Sequence, residues 1–316
     1  MSFEPALPSS PKEAKPQADR TTAIAAARLS ALAAKLRATI KAFRIPLFIA
    51  AALLFTVGLA ISAARLDLAL SDIAPRYILL SALIFIPLAF VYGAFNFMVM
   101  ARGAGVKVPF ARAFKVSCVA QFAEFLPIPG GAIVRGGALM QDGSGAVEAT
   151  KHVMVNAVLW IACAGAAAAF SLGWEDPISI AIGLTGIAGI TACTIWLSAK
   201  AGIGLALLAL AMRVVGLFIA GARILAGFLA IGVSIEFLDL YPFVFATILG
   251  STASIAPGGL GISEAVAAAI ATLSTVAPGA AFVAVALNRL IGFAVSGIAT
   301  GVITVLSSAK GFDTNG

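Results

Sequence analysis

Two stretches of helix-breaking residues interrupt an otherwise apolar chain. The first is Leu126-Pro127-Ile128-Pro129-Gly130-Gly131, with Arg135 behind it; the second is Ala256-Pro257-Gly258-Gly259-Leu260-Gly261, with Glu264 behind it. The sequence around them has membrane composition. Of 316 residues, 61% are hydrophobic and 11% charged, with a mean hydropathy of +1.06, against roughly 45–50% apolar and 25% charged in soluble domains. In hydrocarbon an unsatisfied backbone group costs several kcal/mol, so a break at depth must be enclosed by protein or line a water-filled cavity. Paired breaks at corresponding places in two halves of a chain are a sequence mark of a transport site. The length allows about six to eight spans of about 20 residues with short loops, which excludes a sizeable soluble domain.

The charged residues set the expected organisation. Residues 1–20 hold Pro5, Pro8, Pro11 and Pro16 among charges and read as a disordered tail. Residues 21–44 place Ile24, Leu29, Leu32, Leu36, Ile40 and Phe43 at helical steps, with Arg28, Lys35, Arg37, Lys41 and Arg44 on the other faces. That is a basic amphipathic helix, either lying on anionic headgroups or extending the first span into the cytosol. The net charge of +7 is concentrated there and suits an anionic membrane face rather than nucleic acid. Spans are expected at 46–64, 78–100, 153–172, 178–197, 207–232 and 281–306. The fifth reads as one tilted helix, the alternative being a split at Gly221-Ala222. The Lys/Arg bias puts both termini in the cytoplasm.

The two Pro-Gly regions do not fit this count as ordinary spans. Residues 110–141 begin and end beside cytoplasmic charges, and 241–276 begin and end on the outer side. Each reads as a re-entrant helical hairpin. The expected fold class is therefore all-α integral membrane, about six transmembrane helices plus two re-entrant hairpins in an inverted repeat. The first repeat is 45–172 with the cytoplasmic hairpin 110–141, and the second is 173–308 with the outer hairpin 241–276.

Candidate site residues cluster at the breaks. Gly130-Gly131 and Gly258-Gly259 let backbone approach a ligand closely. The half-helices that follow would point their N-termini, each worth about half a positive charge, towards a cavity suited to phosphate. Arg135 adds a bidentate phosphate contact, pairs with Glu124 or serves as a cytoplasmic anchor. Arg289 lies about 12 Å into the last span at 1.5 Å per residue. An Arg near the bilayer centre costs on the order of 2.5–3.5 kcal/mol, so a partner must offset it, and Glu264 is the natural one. Arg223, mid-span, is a second phosphate ligand, a packing residue or a snorkelling one; Arg213, nearer the cytoplasmic end, is expected to snorkel. His152 is the only histidine and reads as an interfacial residue, with no Cys, Asp or Glu set at metal-ligand spacing. Cys118, Cys163 and Cys193 read as small buried thiols. No GxxxxGK[ST] stretch is present, so no ATP motor and no cofactor is expected, and any driving force is a gradient, downhill lipid flow or a partner.

The Pro-Gly-Gly…Arg stretch at 127–135, the Pro-Gly-Gly-x-Gly-x-x-Glu stretch at 257–264, and Asn288-Arg289-Leu290 resemble the transmembrane domain of lysylphosphatidylglycerol synthases. Stand-alone relatives of that domain form a flippase-like family. The resemblance covers most of 46–306. It implies translocation of a phospholipid or another polar-headed lipid between leaflets, with Glu124, Pro127, Gly130, Gly131, Arg135, Arg223, Pro257, Gly258, Gly259, Gly261, Glu264, Asn288 and Arg289 along the path. Ala132 stands where the family pattern implies an acidic residue and Glu124 where it implies Asn. The synthases carry a further aminoacyl-transferase domain, which these residues lack, so lipid aminoacylation is not implied and no enzyme activity is expected.

The reading is a lipid translocase of the bacterial cytoplasmic (inner) membrane, acting on an anionic polar-headed lipid. The alternative is a secondary transporter of a small soluble anion on the same inverted-repeat logic. The expected partners are membrane lipids with anionic or zwitterionic phospholipid headgroups, not nucleic acid. A homo-oligomer or a lipid-biosynthesis partner is left open.

Overall fold

The structure, a computed structural model, describes residues 49–50, 52–125, 129–252 and 259–312. The expected disordered tail 1–20 and amphipathic helix 21–44 lie outside the described residues. Within them the protein is helical throughout, without strands. Five helices are long and apolar enough to cross a membrane: α2 (Pro75–Gly103), α5 (Ala146–Leu172), α6 (Pro177–Ala201), α7 (Ile203–Ala230) and α10, whose apolar part is Pro278–Ser307. A shorter helix α1 (Ala52–Arg65) occupies the place of the first expected span. This is the architecture of a multi-pass membrane protein.

Local sequence explains the long helices. Pro177 starts α6 where its missing N–H is no loss, and Asp176 caps the turn by accepting from the N–H groups of Ile178 (2.9 Å) and Ser179 (3.0 Å). Pro87 falls inside α2, where its ring would press on the carbonyl four residues back. The helix widens to a π-turn over Ser81–Phe85, with the Ile86 N–H reaching Ser81 O, and so runs on past the proline. Helix α7 is continuous through Gly221-Ala222, so the split alternative does not hold. Its 28 residues span about 42 Å at 1.5 Å per residue, longer than a hydrocarbon core of about 30 Å and hence tilted if it crosses one.

Four shorter helices flank the two Pro-Gly breaks: α3 (Phe110–Ala123) and α4 (Gly130–Gln141) around the first, α8 (Tyr241–Thr252) and α9 (Ile262–Ala271) around the second. Helices α3 and α4 are antiparallel. Arg112, at the start of α3, meets Asp142, just past the end of α4, at 2.7 Å, while Glu124 and Arg135 meet at the break.

Packing inverts the soluble pattern. Leu83, Ile195, Phe170, Ile298 and Val305 face outward, as lipid-facing side chains do, while Arg213, Glu264, Asn288 and Arg289 are buried. Small residues let helices approach: at Gly186 of α6 the backbone of Ala162 and Ala166 on α5 leaves no room for a methyl group. One apolar core joins α5 to α10, a second joins α2, α3, α4 and the start of α5. A polar cavity lies where the two meet.

Candidate functional site

The cavity has a volume of about 470 Å³. Each wall contributes polar groups: Tyr92 and Asn96 from α2, Gln121 and Glu124 from the end of α3, Arg135 from α4, Asn156 from α5. Helix α7 adds Arg213 and Arg223, α8 adds Thr247 and Ser251, and α10 adds Asn288 and Arg289. Four arginines thus face one space inside an apolar bundle.

Helix α4 enters the wall end-on. Pro129, Gly130, Gly131 and Ala132 all line the cavity, and no side chain caps the first turn, which leaves its N–H groups without a side-chain acceptor, as in helix-terminal anion sites. A methyl group on Gly131 would stand 2.6 Å from Glu124 Cγ and 3.1 Å from Ala120 O, which is why the end of α3 and the start of α4 can close up here. Arg135 Nη2 lies 2.9 Å from Glu124 Oε1, both partly exposed. Arg135 thus pairs with Glu124, as one of its expected roles had it, and lines the cavity.

The second break reaches the cavity less directly. Gly259 (φ +69) carries a backbone conformation that other residues rarely adopt, and it packs against the backbone of Gly250. Its carbonyl accepts from Arg289 Nη1 at 2.9 Å, and Ser263 Oγ accepts from the same nitrogen at 2.6 Å. Glu264, 0% exposed, stands with Oε1 3.5 Å from Arg289 Nε. The expectation that the half-helix α9 points its N-terminus at the cavity is corrected: Gly259, Gly261 and Glu264 do not line it. They lie behind Arg289 and hold it, because that guanidinium fills the space between α9 and the cavity. Pro127, Pro257 and Gly258 lie outside the described residues.

On α7, Arg213, Gly216, Ala220 and Arg223 follow at steps of three and four and all line the cavity. Arg223 Nε donates to Asn288 Oδ1 at 3.2 Å. Arg213 does not snorkel. It is 3% exposed, donates to Asn156 Oδ1 and to the Tyr92 hydroxyl at 3.4 Å, and stacks over Trp160 at 5.5 Å. Those partners sit on α2 and α5, so its inward rotamer depends on contacts distant in sequence. The spacing from Arg213 to Arg223 was the one available signal. His152 is buried too, its Nδ1 2.9 Å from Glu148 O and its ring edge-on to Trp196. It packs between α5 and α6.

Charge count favours an anion. Among the described residues no carboxylate oxygen comes within 4.0 Å of Arg213 or Arg223, whereas Arg135 and Arg289 each have one carboxylate partner. Glu124 also attracts Arg223 and Arg289 at longer range. Four guanidinium groups are therefore set against two carboxylates in a confined space, where uncompensated charge is costly. No family model matches the sequence, and comparison with curated proteins finds no match.

Proposed function

We propose that this protein is a lipid translocase, flippase-like, moving a phospholipid or another anionic polar-headed lipid between leaflets. In this reading α3–α4 and α8–α9 are re-entrant hairpins, one from each face, in two inverted repeats. The headgroup passes through the cavity between them while the acyl chains stay in lipid. The protein is a divergent relative of the transmembrane domain of lysylphosphatidylglycerol synthases, sits in a bacterial inner membrane with both termini cytoplasmic, and transports rather than catalyses. The observation that carries the reading is the convergence of four arginines and an uncapped helix N-terminus on one cavity inside an apolar-surfaced bundle. Backbone N–H groups and guanidinium forks together are the donors a phosphate takes. A headgroup lacking negative charge would desolvate them without return.

The test is reconstitution in liposomes with a fluorescent phosphatidylglycerol and, in parallel, a neutral glycolipid of comparable polarity. The expected result is faster exchange of the phospholipid than of the glycolipid, slowed by Arg135→Ala without loss of folded protein. Equal acceleration of both lipids refutes phosphate recognition. Acceleration of neither refutes lipid translocation and turns attention to a small soluble anion.

A further inference from the structure

Glu264 has a setting that a merely structural ion pair does not need. It is fully enclosed, and neither carboxylate oxygen has a hydrogen-bond partner among the described residues. The backbone of Gly261 and of Glu264 itself comes near it, short of hydrogen-bond geometry. Helices α8 and α10 pack on α9. Helix α8 carries no charged side chain, Tyr241 being its one titratable group. Helix α10 carries Arg289, with Lys310 a further 21 positions along, about 31 Å by helical rise. Glu264 is itself the only charged residue of α9. Beyond these, Glu124 on α3 attracts Arg289 from the cavity side.

An ionised carboxylate with no hydrogen bonds in an apolar site depends on its counter-charge. That counter-charge is Arg289, and Arg289 also lines the cavity. One guanidinium is therefore shared between a buried carboxylate and the space assigned to the anion.

We propose that Glu264 couples a proton to the anion. When an anion in the cavity engages Arg289, the guanidinium is drawn off Glu264 towards the cavity, which opens the carboxylate to cavity water. A hydronium ion there gives up one proton: one of its O–H bonds breaks, one O–H bond forms on Glu264, and a neutral water is left. Nothing is oxidised or reduced, and anion and proton are released together. A singly charged headgroup plus one proton crosses without net charge, so transport follows the pH gradient towards the alkaline side. This gives a driving force to a sequence with no GxxxxGK[ST] stretch. The inference rests on the cavity being an anion site, as under Proposed function.

The experiment measures proton exchange on binding by calorimetry of the purified full chain at pH 7, in two buffers of different ionisation enthalpy. The probes are dioctanoyl-phosphatidylglycerol and its chain-free headgroup glycerophosphoglycerol, phosphodiesters that do not themselves titrate there. The expected result is uptake of about half to one proton per anion bound, lost in Glu264→Gln and kept in Glu264→Asp. Binding without proton uptake in the unmodified protein overturns the proposal, as does undiminished uptake in Glu264→Gln. Uptake with both probes at equal affinity supports the coupling while removing the lipid from the proposed function. Binding of neither probe overturns the anion site and the coupling with it.

Discussion

At the residue scale the cavity is a problem of counter-charges, and Arg289 solves the most of it. It holds Gly259 O, Ser263 Oγ and Glu264 from one side of a single guanidinium while lining the cavity. Arg289→Ala leaves Glu264 buried without a partner, a loss on the order of 3–5 kcal/mol for a truly buried pair. The expected outcome is a large drop in thermal stability and yield. Combining Glu264→Gln with Arg289→Leu removes both charges and should recover folding but not transport. A double variant that transports normally shows the pair to be scaffold only. Arg289 and Glu264 were legible as partners because each is a charge with no other neighbour of opposite sign in its stretch. Arg213 was not legible. Its distance from a helix end suggested an interface, whereas its burial is decided by Tyr92, Asn156 and Trp160, which lie 121, 57 and 53 positions away in sequence.

At the scale of elements, glycine in the two breaks has two different uses, and they predict different costs. At Gly131 a methyl group meets chiefly the Glu124 side chain, which can swing aside. Gly131→Ala should therefore fold nearly as well as the natural protein while displacing the Glu124–Arg135 pair, so its effect is on transport. At Gly259 the added methyl meets the backbone of Gly250, and φ is +69. Neither can yield cheaply, and strained backbone of this kind costs on the order of 1–3 kcal/mol. The expected order of melting temperatures is natural protein, Gly131→Ala close behind, Gly259→Ala clearly lowest. Equal melting of the two variants contradicts this account. The breaks were legible because Pro and Gly act locally, through a missing N–H and an absent Cβ. The unequal roles of the two helix starts were not, since only the packing of Arg289 between α9 and the cavity decides that α4 faces the space and α9 does not.

At the scale of the whole molecule, the proposed path turns on each short helix pair entering and leaving on one face. Helix α3 has 14 residues and α4 has 12, about 21 and 18 Å at 1.5 Å per residue, too short to cross about 30 Å of hydrocarbon. The Arg112–Asp142 pair brings the outer ends of α3 and α4 together, as a hairpin returning to its own side requires. Around it lie Arg102, Lys107, Arg112 and Lys115, whereas no Lys or Arg occurs between Arg223 and Arg289, the stretch that contains α8 and α9. By the positive-inside rule this asymmetry is what the proposed arrangement, with the two pairs on opposite faces, requires. Cysteine placed at exposed Lys107 or Gly145 should be labelled by a membrane-impermeant maleimide only from the cytoplasmic side. Cysteine at Glu236 or Ala277 should be labelled only from outside. The natural cysteines Cys118, Cys163 and Cys193 are all buried and should add little background. Labelling of Lys107 and Gly145 from opposite faces makes α3–α4 a crossing and removes the inverted repeat. Labelling of all four from one face keeps the hairpins but places both on the same side, and a path from one leaflet to the other then has no second entrance.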